Sequence, residues 1–265
     1  MKSLKKILII GAEGEIGSYL FKEFKKSSFD VYGTSRRKQN NSKLIKFDLI
    51  DNDFNFDLAD FQACIICAGL SNISDIEKNS KYSEFINVLS TIKLIKECKK
   101  KNIFLIYLSS VAVFNGRKSF YKTTDSPSPF NNYGKYKLEI EDFISNYYFE
   151  NYAILRLTKV ISINTPLIRK WRELYKLNKN IKVFEDKFLA PISLDKVFGT
   201  LNLILKEKLY GIFHLGGKDE ISFYEFALKY FSENDLSNKL VKPVIFNGNK
   251  QIYNGKFSSL HNSFT

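Results

Sequence analysis

The stretch KILIIGAEGEIG, residues 6–17, decides the fold of this chain of 265 residues. Its apolar beginning, Lys6–Ile10, predicts a buried strand. Directly after it, Ile16, Leu20 and Phe24 repeat at four-residue spacing, which is the pattern of the buried side of a helix. A strand, a short turn and a helix in this order predict the first unit of a parallel sheet covered by helices.

The turn between that strand and that helix contains Gly11, Gly14 and Gly17. Glycines at these places let the backbone turn sharply and approach a pyrophosphate, and the last one permits close packing of helix on strand. The backbone amides of Glu15 and Ile16 would then meet the phosphates at the positive end of the helix. The sequence therefore predicts a dinucleotide site, the alternative being a tight turn without a ligand.

Apolar segments continue this alternation of strands and helices through the first 160 residues. Further strands are predicted at residues 31–34, 44–47, 63–67, 103–108 and 152–157. Two long helices are predicted, one from about Asn132 to Tyr148 and an earlier one with an inner side formed by Phe85, Val88, Leu89, Ile92 and Ile95. This alternation predicts the α/β class with a doubly wound parallel sheet, the Rossmann architecture.

The second part of the chain has a looser pattern. Helices are predicted at residues 168–177, 194–205 and 223–231, and strands at 181–184 and 211–215. About thirty residues at the end are rich in Asn, Ser and Lys with weak periodicity, which is typical of a partly mobile tail. We therefore expect residues 1–160 to form the dinucleotide-binding core. Residues 161–265 are expected to form a smaller substrate-binding lobe, interleaved with the core and unable to fold alone.

Composition restricts the classes of protein. The formal net charge is +13, and the densest basic cluster is Lys96–Lys101. Because lysines greatly outnumber arginines and no aromatic residues alternate with them, we do not expect nucleic-acid binding. A basic surface equally favours an anionic small substrate such as a sugar nucleotide. No apolar run approaches the roughly eighteen residues of a membrane span, so we expect no membrane contact.

The three cysteines, Cys64, Cys67 and Cys98, form an odd and sparse set. Such usage is typical of a reducing compartment without structural disulfides, so we expect a cytoplasmic protein. Cys64 and Cys67 have the spacing of metal ligands, but residues three apart on a strand face opposite sides. With no second pair of cysteines in the sequence, we expect buried thiols and no metal site.

The end of the second predicted strand bears on the choice of cofactor. An acidic residue there would bond the ribose hydroxyls of NAD, but this chain has Ser35, Arg36 and Arg37, followed by Lys38. A hydroxyl group and adjacent guanidinium groups suit a 2′-phosphate. We therefore expect NADP, as NADPH, in preference to NAD, the alternative being a basic surface loop.

Two other strand ends supply further candidates for the cofactor site. Asp48 and Leu49 close the third strand, where the carboxylate could accept a hydrogen bond from the adenine amino group or could cap a helix. Cys67, Ala68 and Gly69 end the fourth strand at the carboxyl edge of the sheet. Ala68 and Gly69 are small enough for the backbone to lie against the cofactor.

The catalytic candidates are Ser110, Tyr133 and Lys137. Composition alone gives roughly two Tyr-x-x-x-Lys matches, and there are two, the second being Tyr175 and Lys179. Only Tyr133 opens a helix directly after a strand that ends in serines. On that helix Tyr133 and Lys137 share a face, so we expect the ammonium to lower the pKa of the phenol. Lys137 could also hold the nicotinamide ribose, and Ser110 could orient a substrate oxygen.

Together these motifs resemble the extended short-chain dehydrogenase/reductase family over nearly the full chain. The resemblance is carried by Gly11, Gly14 and Gly17, by Asp48 and Asn87, and by residues 109–114 and 133–137. It implies a Rossmann fold, a place for Asn87 in the cofactor site, and activity as a nucleotide-sugar reductase, epimerase or dehydratase.

Within that family the second half looks most like the dTDP-4-dehydrorhamnose reductases. The matching motifs are VFNG at 113–116, ILR at 154–156, API at 190–192, GIFHL at 211–215 and YEFA at 224–227. This similarity implies hydride transfer from NADPH to the carbonyl carbon of a 4-keto sugar nucleotide, with Tyr133 as the proton donor.

The pair Ser110-Val111 departs from the Thr-Asp of those reductases and from the Asp-Glu of the dehydratases. Val111 argues against dehydration, since elimination of water needs acids there, and it leaves reductase and epimerase open. A non-catalytic NADP-binding regulator is a third alternative. It is disfavoured because such a protein would not need Tyr133 and Lys137.

The predicted substrate site combines residues near the fifth strand with two arginines of a later helix: Ser110, Val111, Arg156, Arg169 and Arg172. The two arginines of the helix could clamp a diphosphate or could lie on a solvated helix face. His214 lies in a strand-like run, and we expect it to be structural. The sequence leaves the oligomeric state open, a homodimer included.

Overall fold

The computed structural model describes residues 5–37, 40–51, 53–54, 56–148, 150–247 and 255–264. Its strands are β1 (Lys5–Ile10), β2 (Phe29–Ser35), β3 (Leu44–Lys46), β4 (Ala63–Ile66), β5 (Phe104–Ser110), β6 (Tyr152–Leu157), β7 (Val160–Ile161), β8 (Ile181–Phe184), β9 (Phe188–Leu189), β10 (Ile192–Ser193), β11 (Gly211–Leu215), β12 (Ile221–Ser222) and β13 (Val241–Val244). Every strand predicted from an apolar run is present and ends within two residues of its expected limits.

The helices include the long one predicted from Asn132 to Tyr148, while the helix at Thr91–Lys100 covers only the later part of the other. The helices are α1 (Glu15–Phe24), α2 (Ile73–Lys78), α3 (Ser80–Glu84), α4 (Thr91–Lys100), α5 (Asn132–Tyr148), α6 (Pro166–Lys176), α7 (Leu194–Glu207) and α8 (Phe223–Glu233). Serine side chains cap α7 and α8, and a proline begins α6, as helix starts favour. None of these helices, within the described ranges, has both the length and the apolar character that crossing a membrane requires.

A seven-stranded parallel sheet forms the centre of the molecule, in the order β11-β6-β5-β4-β1-β2-β3. The chain starts in the middle at β1, runs outward through β2 and β3, and then crosses to β4 and continues to the other edge. The predicted doubly wound α/β fold is thereby confirmed. The order reverses between β1 and β4, which is the place where open parallel sheets bind ligands.

Helices cover both faces of the sheet, which is why its strands are almost entirely apolar. On one face α1 and α7 pack against the strands, with Phe24 and Leu201 fully buried. On the other face α4 and α5 do the same, with Ile140 fully buried. Cys64 lies in the second of these clusters and Cys67 packs against the first, so the two cysteines face opposite sides as expected.

The second lobe has an apolar core of its own. Helices α6 and α8 pack there with the parallel pair β8 and β13 around Trp171, Phe226 and Phe231. Between β10 and β12, however, the chain returns to the first core: α7 packs on α1, and β11 pairs in parallel with β6. The core therefore extends past residue 160, because β11 brings Phe213 and Leu215 to the same apolar cluster as the earlier strands.

The segment before α4 differs from the regular helix that the sequence predicts. Phe85 and Leu89, expected on the inner side, are 42% and 55% exposed, whereas Asn87 and Val88 are buried. A π-helical segment at Phe85–Ser90 is the reason. It takes more residues per turn than an α-helix, so side chains on its two sides do not follow one period.

The described end of the chain, residues 255–264, packs against the rest of the fold. Leu260 is buried and forms a parallel bridge with Tyr121. The Ser263 hydroxyl accepts a hydrogen bond from the His214 amide at 2.9 Å, and the Ser263 amide donates to the His214 carbonyl. Residues 255–264 of the tail that the sequence predicts to be partly mobile are therefore packed on the fold, and residues 248–254 of the same tail lie outside the described ranges.

Candidate active site

One edge of the sheet gathers the groups that the sequence singles out, because the strands are parallel. The glycine turn follows β1, the basic residues follow β2, residues 67–69 follow β4, and Ser110 ends β5. All these strand ends lie beside the crevice where the strand order reverses. The topology therefore makes a single site out of segments that are far apart in sequence.

The glycine turn after β1 has a backbone that only glycine fits. Gly11 has φ of +86°, and a Cβ there would lie 2.9 Å from the backbone of Ala68. A Cβ on Gly17 would lie 2.1 Å from the carbonyl oxygen of Gly11. The Gly11 amide donates to the hydroxyl of Thr34 at 2.9 Å. These contacts hold the amino terminus of α1 in place. Because its N-cap residue, Gly14, has no side chain to cap the helix, this arrangement fits a pyrophosphate.

The carboxylate of Glu15, in the first turn of α1, binds the second lobe. Its Oε1 accepts hydrogen bonds from Ser162 Oγ at 2.5 Å and from Thr165 Oγ1 at 2.6 Å, both between β7 and α6. Any part that Glu15 plays in cofactor binding therefore falls to its backbone amide. The side chain ties the glycine turn to the lobe, a contact that the sequence did not indicate.

The basic stretch after β2 combines one buried hydroxyl with exposed arginines. Ser35 is 2% exposed; its Oγ donates to the Arg37 carbonyl at 2.9 Å and accepts from the Arg37 amide at 3.1 Å. Ser35 therefore shapes the turn, while Arg36 and Arg37 are exposed and face solvent. Lys38 lies outside the described residues.

Asp48 and Leu49 form a turn after β3. The Asp48 Oδ1 accepts a hydrogen bond from the Ile50 amide at 3.0 Å, and no helix begins at this place in the described chain. Leu49 is buried and packs in the apolar cluster beneath the turn. The carboxylate stays half-buried at the sheet edge, and its contact with an adenine remains a prediction.

Asn87 fixes the loop that follows β4. Its Oδ1 accepts from the Leu70 amide at 2.7 Å, and its Nδ2 donates to the Leu70 carbonyl at 3.0 Å. Gly69, which precedes Leu70, has φ of +143°. Because both ends of the Asn87 amide bind Leu70, its part in a cofactor site would act through the loop of Cys67, Ala68 and Gly69.

Ser110 and Tyr133 meet at the end of β5. The Tyr133 hydroxyl lies close enough to the side chain of Ser110 for that side chain to lower the phenol pKa. The Ser110 Oγ also accepts from the Ala112 amide at 3.2 Å and so caps a 3-10 helix, Val111–Val113. The structure therefore brings together, from β5 and α5, the hydroxyl groups that the sequence predicts as partners.

Lys137 lies one turn along α5 from Tyr133. Its Nζ donates to the carbonyl oxygen of Leu108 at 2.8 Å and lies 4.5 Å from the ring centroid of Tyr107. The distance from Nζ to the ring centroid of Tyr133 is 5.9 Å. The ammonium is thus anchored to β5 on the same side as Tyr133.

The pKa values at the site are set mainly by removal from water. Burial raises the pKa of Tyr133, and the side chain of Ser110 offsets this only in part. Burial also lowers the pKa of Lys137 to about 8, against the attraction of Glu141. The expectation of a lowered phenol pKa is therefore wrong for this arrangement, because burial raises that pKa more than the side chain of Ser110 lowers it.

Gly134 allows α5 to come close enough to Ser110. A Cβ on Gly134 would lie 2.0 Å from the Ala112 carbonyl oxygen and 3.0 Å from the Cβ of Pro129. The helix backbone therefore packs directly on the 3-10 helix that Ser110 caps. This contact is what places Tyr133 beside Ser110.

Arg156 does not reach the candidate substrate site, contrary to expectation. It is 2% exposed, and its guanidinium forms an ion pair with Glu141, with Nη2 to Oε2 at 2.6 Å. Its Nη1 lies 3.2 Å from His214 Nε2. His214 is fully buried, as expected for a structural residue, and burial lowers its pKa to about 4. Arg156 therefore belongs to a buried network behind β5.

The remaining predicted substrate residues lie at the surface. Val111 is half-buried in the 3-10 helix directly after Ser110, while on α6 Arg169 is exposed and Arg172 half-buried. Ile168 and Trp171 face the core of the lobe, which leaves the arginines on the outer part of that helix. Their contact with a diphosphate remains a prediction.

Sequence reasoning missed the importance of Glu141. It lies on the same face of α5 as Tyr133 and Lys137, eight and four residues further on, and is 1% exposed. The sequence does contain an indication of its role. Glu141 follows Lys137 at the same four-residue spacing that separates Lys137 from Tyr133, and it stands between the apolar residues Ile140 and Ile144.

This fold and site define the class of Rossmann proteins called short-chain dehydrogenases/reductases: a parallel sheet, a glycine turn after the first strand, and a Ser-Tyr-Lys group after a later one. The sequence profile of the family "RmlD substrate binding domain" matches residues 5–263, and the chain belongs to that family.

Two curated relatives illustrate the range of similar proteins. The chain is 28% identical to methionine adenosyltransferase 2 subunit beta of Bos taurus, over 91% of this chain and 75% of that protein. It is 24% identical to the probable low-salt glycan biosynthesis reductase Agl14 of Haloferax volcanii, over 83% of this chain and 77% of that protein.

Solved structures with this fold include dTDP-4-dehydrorhamnose reductases. The enzyme of Bacillus anthracis, solved in complex with NADP, superposes with a TM-score of 0.85 at 22% identity, over 99% of this chain and 91% of that one. The one from Clostridium acetobutylicum gives 0.84 at 25% identity, over 97% and 90%. The expected resemblance to the dTDP-4-dehydrorhamnose reductases is thereby confirmed.

Proposed function

We propose that this protein reduces the carbonyl group of a 4-keto sugar nucleotide with NADPH. The observation that carries the proposal is the contact of Tyr133 with Ser110 at the sheet edge that also bears the glycine turn. Membership in the RmlD family and the similarity to a glycan biosynthesis reductase support the same class of reaction.

The side chains at the end of β5 supply the acid chemistry of this reaction. NADPH, when bound, would supply the hydride for the carbonyl carbon. Tyr133 donates its hydroxyl proton to the carbonyl oxygen, so an alcohol forms in place of an alkoxide. Ser110 donates a hydrogen bond to the same oxygen and orients it. The ammonium of Lys137 stabilises the phenolate that Tyr133 leaves behind.

The direction of the pKa shift favours reduction. Because burial raises the pKa of Tyr133, the phenol is protonated at neutral pH and is ready to donate. An epimerase must first remove a proton from a sugar hydroxyl, which needs the phenolate. Val111, an apolar residue beside Ser110, supplies no acid for the elimination of water.

Arg36 and Arg37 are the basis for proposing NADPH over NADH. Both are exposed at the end of β2, where the adenosine ribose of a dinucleotide lies in this class of fold. Replacing both, R36A/R37A, should reduce the preference for NADPH by about tenfold, since charge-assisted hydrogen bonds to the phosphate are lost. The control variant K22A/K25A removes two charges at the end of α1 and should keep the preference. Equal preference ratios in all three proteins would refute the assignment.

The proposed activity is tested by mixing the protein with NADPH and a panel of 4-keto sugar nucleotides. We expect the absorbance of the reduced nicotinamide to fall with at least one of them and the product to carry a new hydroxyl group. Isomerised sugar without consumption of NADPH would identify an epimerase. An unchanged absorbance and an unchanged sugar across the panel would count against both.

A second candidate function is that of a subunit within a larger enzyme. The observation that favours it is the name of the Bos taurus relative, a subunit of methionine adenosyltransferase. Such a subunit would alter the activity of a methionine adenosyltransferase mixed with it and would bind NADPH without oxidising it. Mass spectrometry of the ligand retained on purification separates the candidates, because a retained nucleotide sugar supports the reductase.

A further inference from the structure

We propose that Glu141 is a positioning residue of the Tyr133 site: it holds the end of β5 against α5 and places a negative charge one helical turn from Lys137. This inference rests on the proposed function. The proposal assigns a role to the buried network behind β5, whose side chains do not line the candidate substrate and cofactor sites.

The geometry joins the helix of the proton donor to the strand of its partner. The Glu141 carboxylate accepts a hydrogen bond from the hydroxyl of Ser109, the residue before Ser110. It also accepts from Arg156 Nε at 3.0 Å to each oxygen. Glu141, Ser109 and Arg156 are 1%, 4% and 2% exposed. A buried carboxylate bound on both sides in this way fixes α5 relative to β5 and β6.

The network continues away from the site to the end of the chain. Arg156 meets His214 on β11, whose Nδ1 lies 3.1 Å from the carbonyl oxygen of Tyr121. The backbone of His214 is in turn bonded to Ser263. Ser109 and Arg156 therefore hold the carboxylate directly, and His214 holds Arg156 in turn. These contacts therefore fix the position of α5 in addition to pairing the charges of Glu141 and Arg156.

The charge of Glu141 acts on Lys137. The titratable groups that face Lys137 are Glu141 and Tyr133 on α5, Cys67 after β4 and Tyr107 on β5. Burial raises the pKa of the Cys67 thiol to about 12 and raises that of the Tyr107 phenol well above its usual value, so both are neutral at neutral pH. Glu141 is then the negative charge that opposes the desolvation of Lys137.

The groups that face Glu141 itself are a guanidinium, a histidine and a hydroxyl. Arg156 on β6 is a permanent cation at hydrogen-bond distance. His214 on β11 is neutral at neutral pH because burial lowers its pKa to about 4. Ser109 on β5 donates to the carboxylate. Glu141 is therefore bound by a cation and by a hydroxyl donor from two neighbouring strands.

The test compares E141Q with E139Q, which removes the same charge from the exposed side of the same helix. The pKa of Lys137 is measured by NMR of protein labelled with ¹³Cε-lysine, the signal being assigned by its loss in K137M. In E141Q we expect this pKa to fall by about one pH unit, and the alkaline limb of kcat to move with it. E139Q should leave both unchanged. An unchanged Lys137 pKa in folded E141Q would overturn the electrostatic part.

A second variant, S109A, keeps the ion pair and removes only the contact between β5 and Glu141. We expect kcat to fall by about tenfold with an unchanged Lys137 pKa, because the orientation of Ser110 is loosened. An unchanged kcat would overturn the positioning part, even if E141Q fails to fold. Absence of NADPH oxidation by the wild-type protein would refute the proposed function instead, and the NMR measurement would still decide the effect of the charge.

Discussion

The two Tyr-x-x-x-Lys segments of this chain have the same spacing and different structures. Tyr133 and Lys137 both lie within α5 and on one face of it. Tyr175 lies in α6, but that helix ends at Lys176, and Lys179 follows it as an exposed residue. Only the first segment therefore presents a phenol and an ammonium together.

The neighbours of the two phenols differ as well. Tyr133 lies beside Ser110, at the end of a central strand. The Tyr175 hydroxyl accepts from the Ser237 amide at 3.2 Å, and its ring packs on Phe231 at 5.4 Å between centroids, inside the second lobe. The comparison teaches that the motif acquires meaning from the strand end next to it.

The largest expected difference between the two segments concerns their phenols. Y133F removes the proton donor and keeps the ring, so kcat should fall by about 1000-fold with unchanged NADPH affinity. Y175F removes one hydrogen bond, so kcat should be unchanged and the free energy of unfolding lower by about 1 kcal/mol. Steady-state kinetics, fluorescence titration with NADPH and denaturant unfolding measure these effects. An equal loss of kcat in both variants would erase the distinction.

The lysines should differ by a smaller factor. K137M removes the charge that stabilises the phenolate, so we expect kcat to fall by about 100-fold, whereas K179M should match the wild type. Because the pKa of Lys137 is about 8 and the charged form is the active one, wild-type kcat should decline as the pH rises through that value. Measured pH profiles of kcat check this, and a wild-type profile that stays level there would exclude the role of Lys137.

The smallest expected effect concerns the glycine of the first segment, with Gly199 on α7 as its control. G134A places a methyl group against the Ala112 carbonyl, which should displace α5, lower kcat about tenfold and cost about 2 kcal/mol of stability. At Gly199 nothing lies within 4 Å of a new Cβ, so G199A should stabilise by about 0.5–1 kcal/mol. Equal changes of stability in G134A and G199A would show that the fold does not require the close approach of α5 to the Ala112 carbonyl.

The central sheet could be predicted because buried parallel strands are continuous apolar runs that end in turn residues. Residues 103–108 followed by serines, and Lys6–Ile10 followed by glycines, each define a strand and its carboxyl end. Parallel strands place those ends at one edge, so the meeting of Ser110 with Tyr133 followed from topology. The choice of the first Tyr-x-x-x-Lys segment rested on the same reasoning.

The rest depends on contacts that local patterns do not contain. Arg156 could be read as a substrate ligand because its partner Glu141 lies fifteen residues away on another element. The π-helical segment shifts Phe85 and Leu89 outward without any glycine or proline to announce it. The raised pKa of Tyr133 is a property of the packed site, where desolvation is set by residues from several elements.

The central claim is that Tyr133 protonates a carbonyl oxygen while a hydride arrives from a cofactor on the glycine turn. Its most direct test is the transfer of deuterium from NADPH deuterated at nicotinamide C4 to a 4-keto sugar nucleotide, followed by mass spectrometry and NMR of the sugar. We predict one deuterium at the former carbonyl carbon with the wild-type protein, and incorporation about 1000-fold slower with Y133F at equal NADPH occupancy. Equal rates of deuterium incorporation by both proteins would contradict the account.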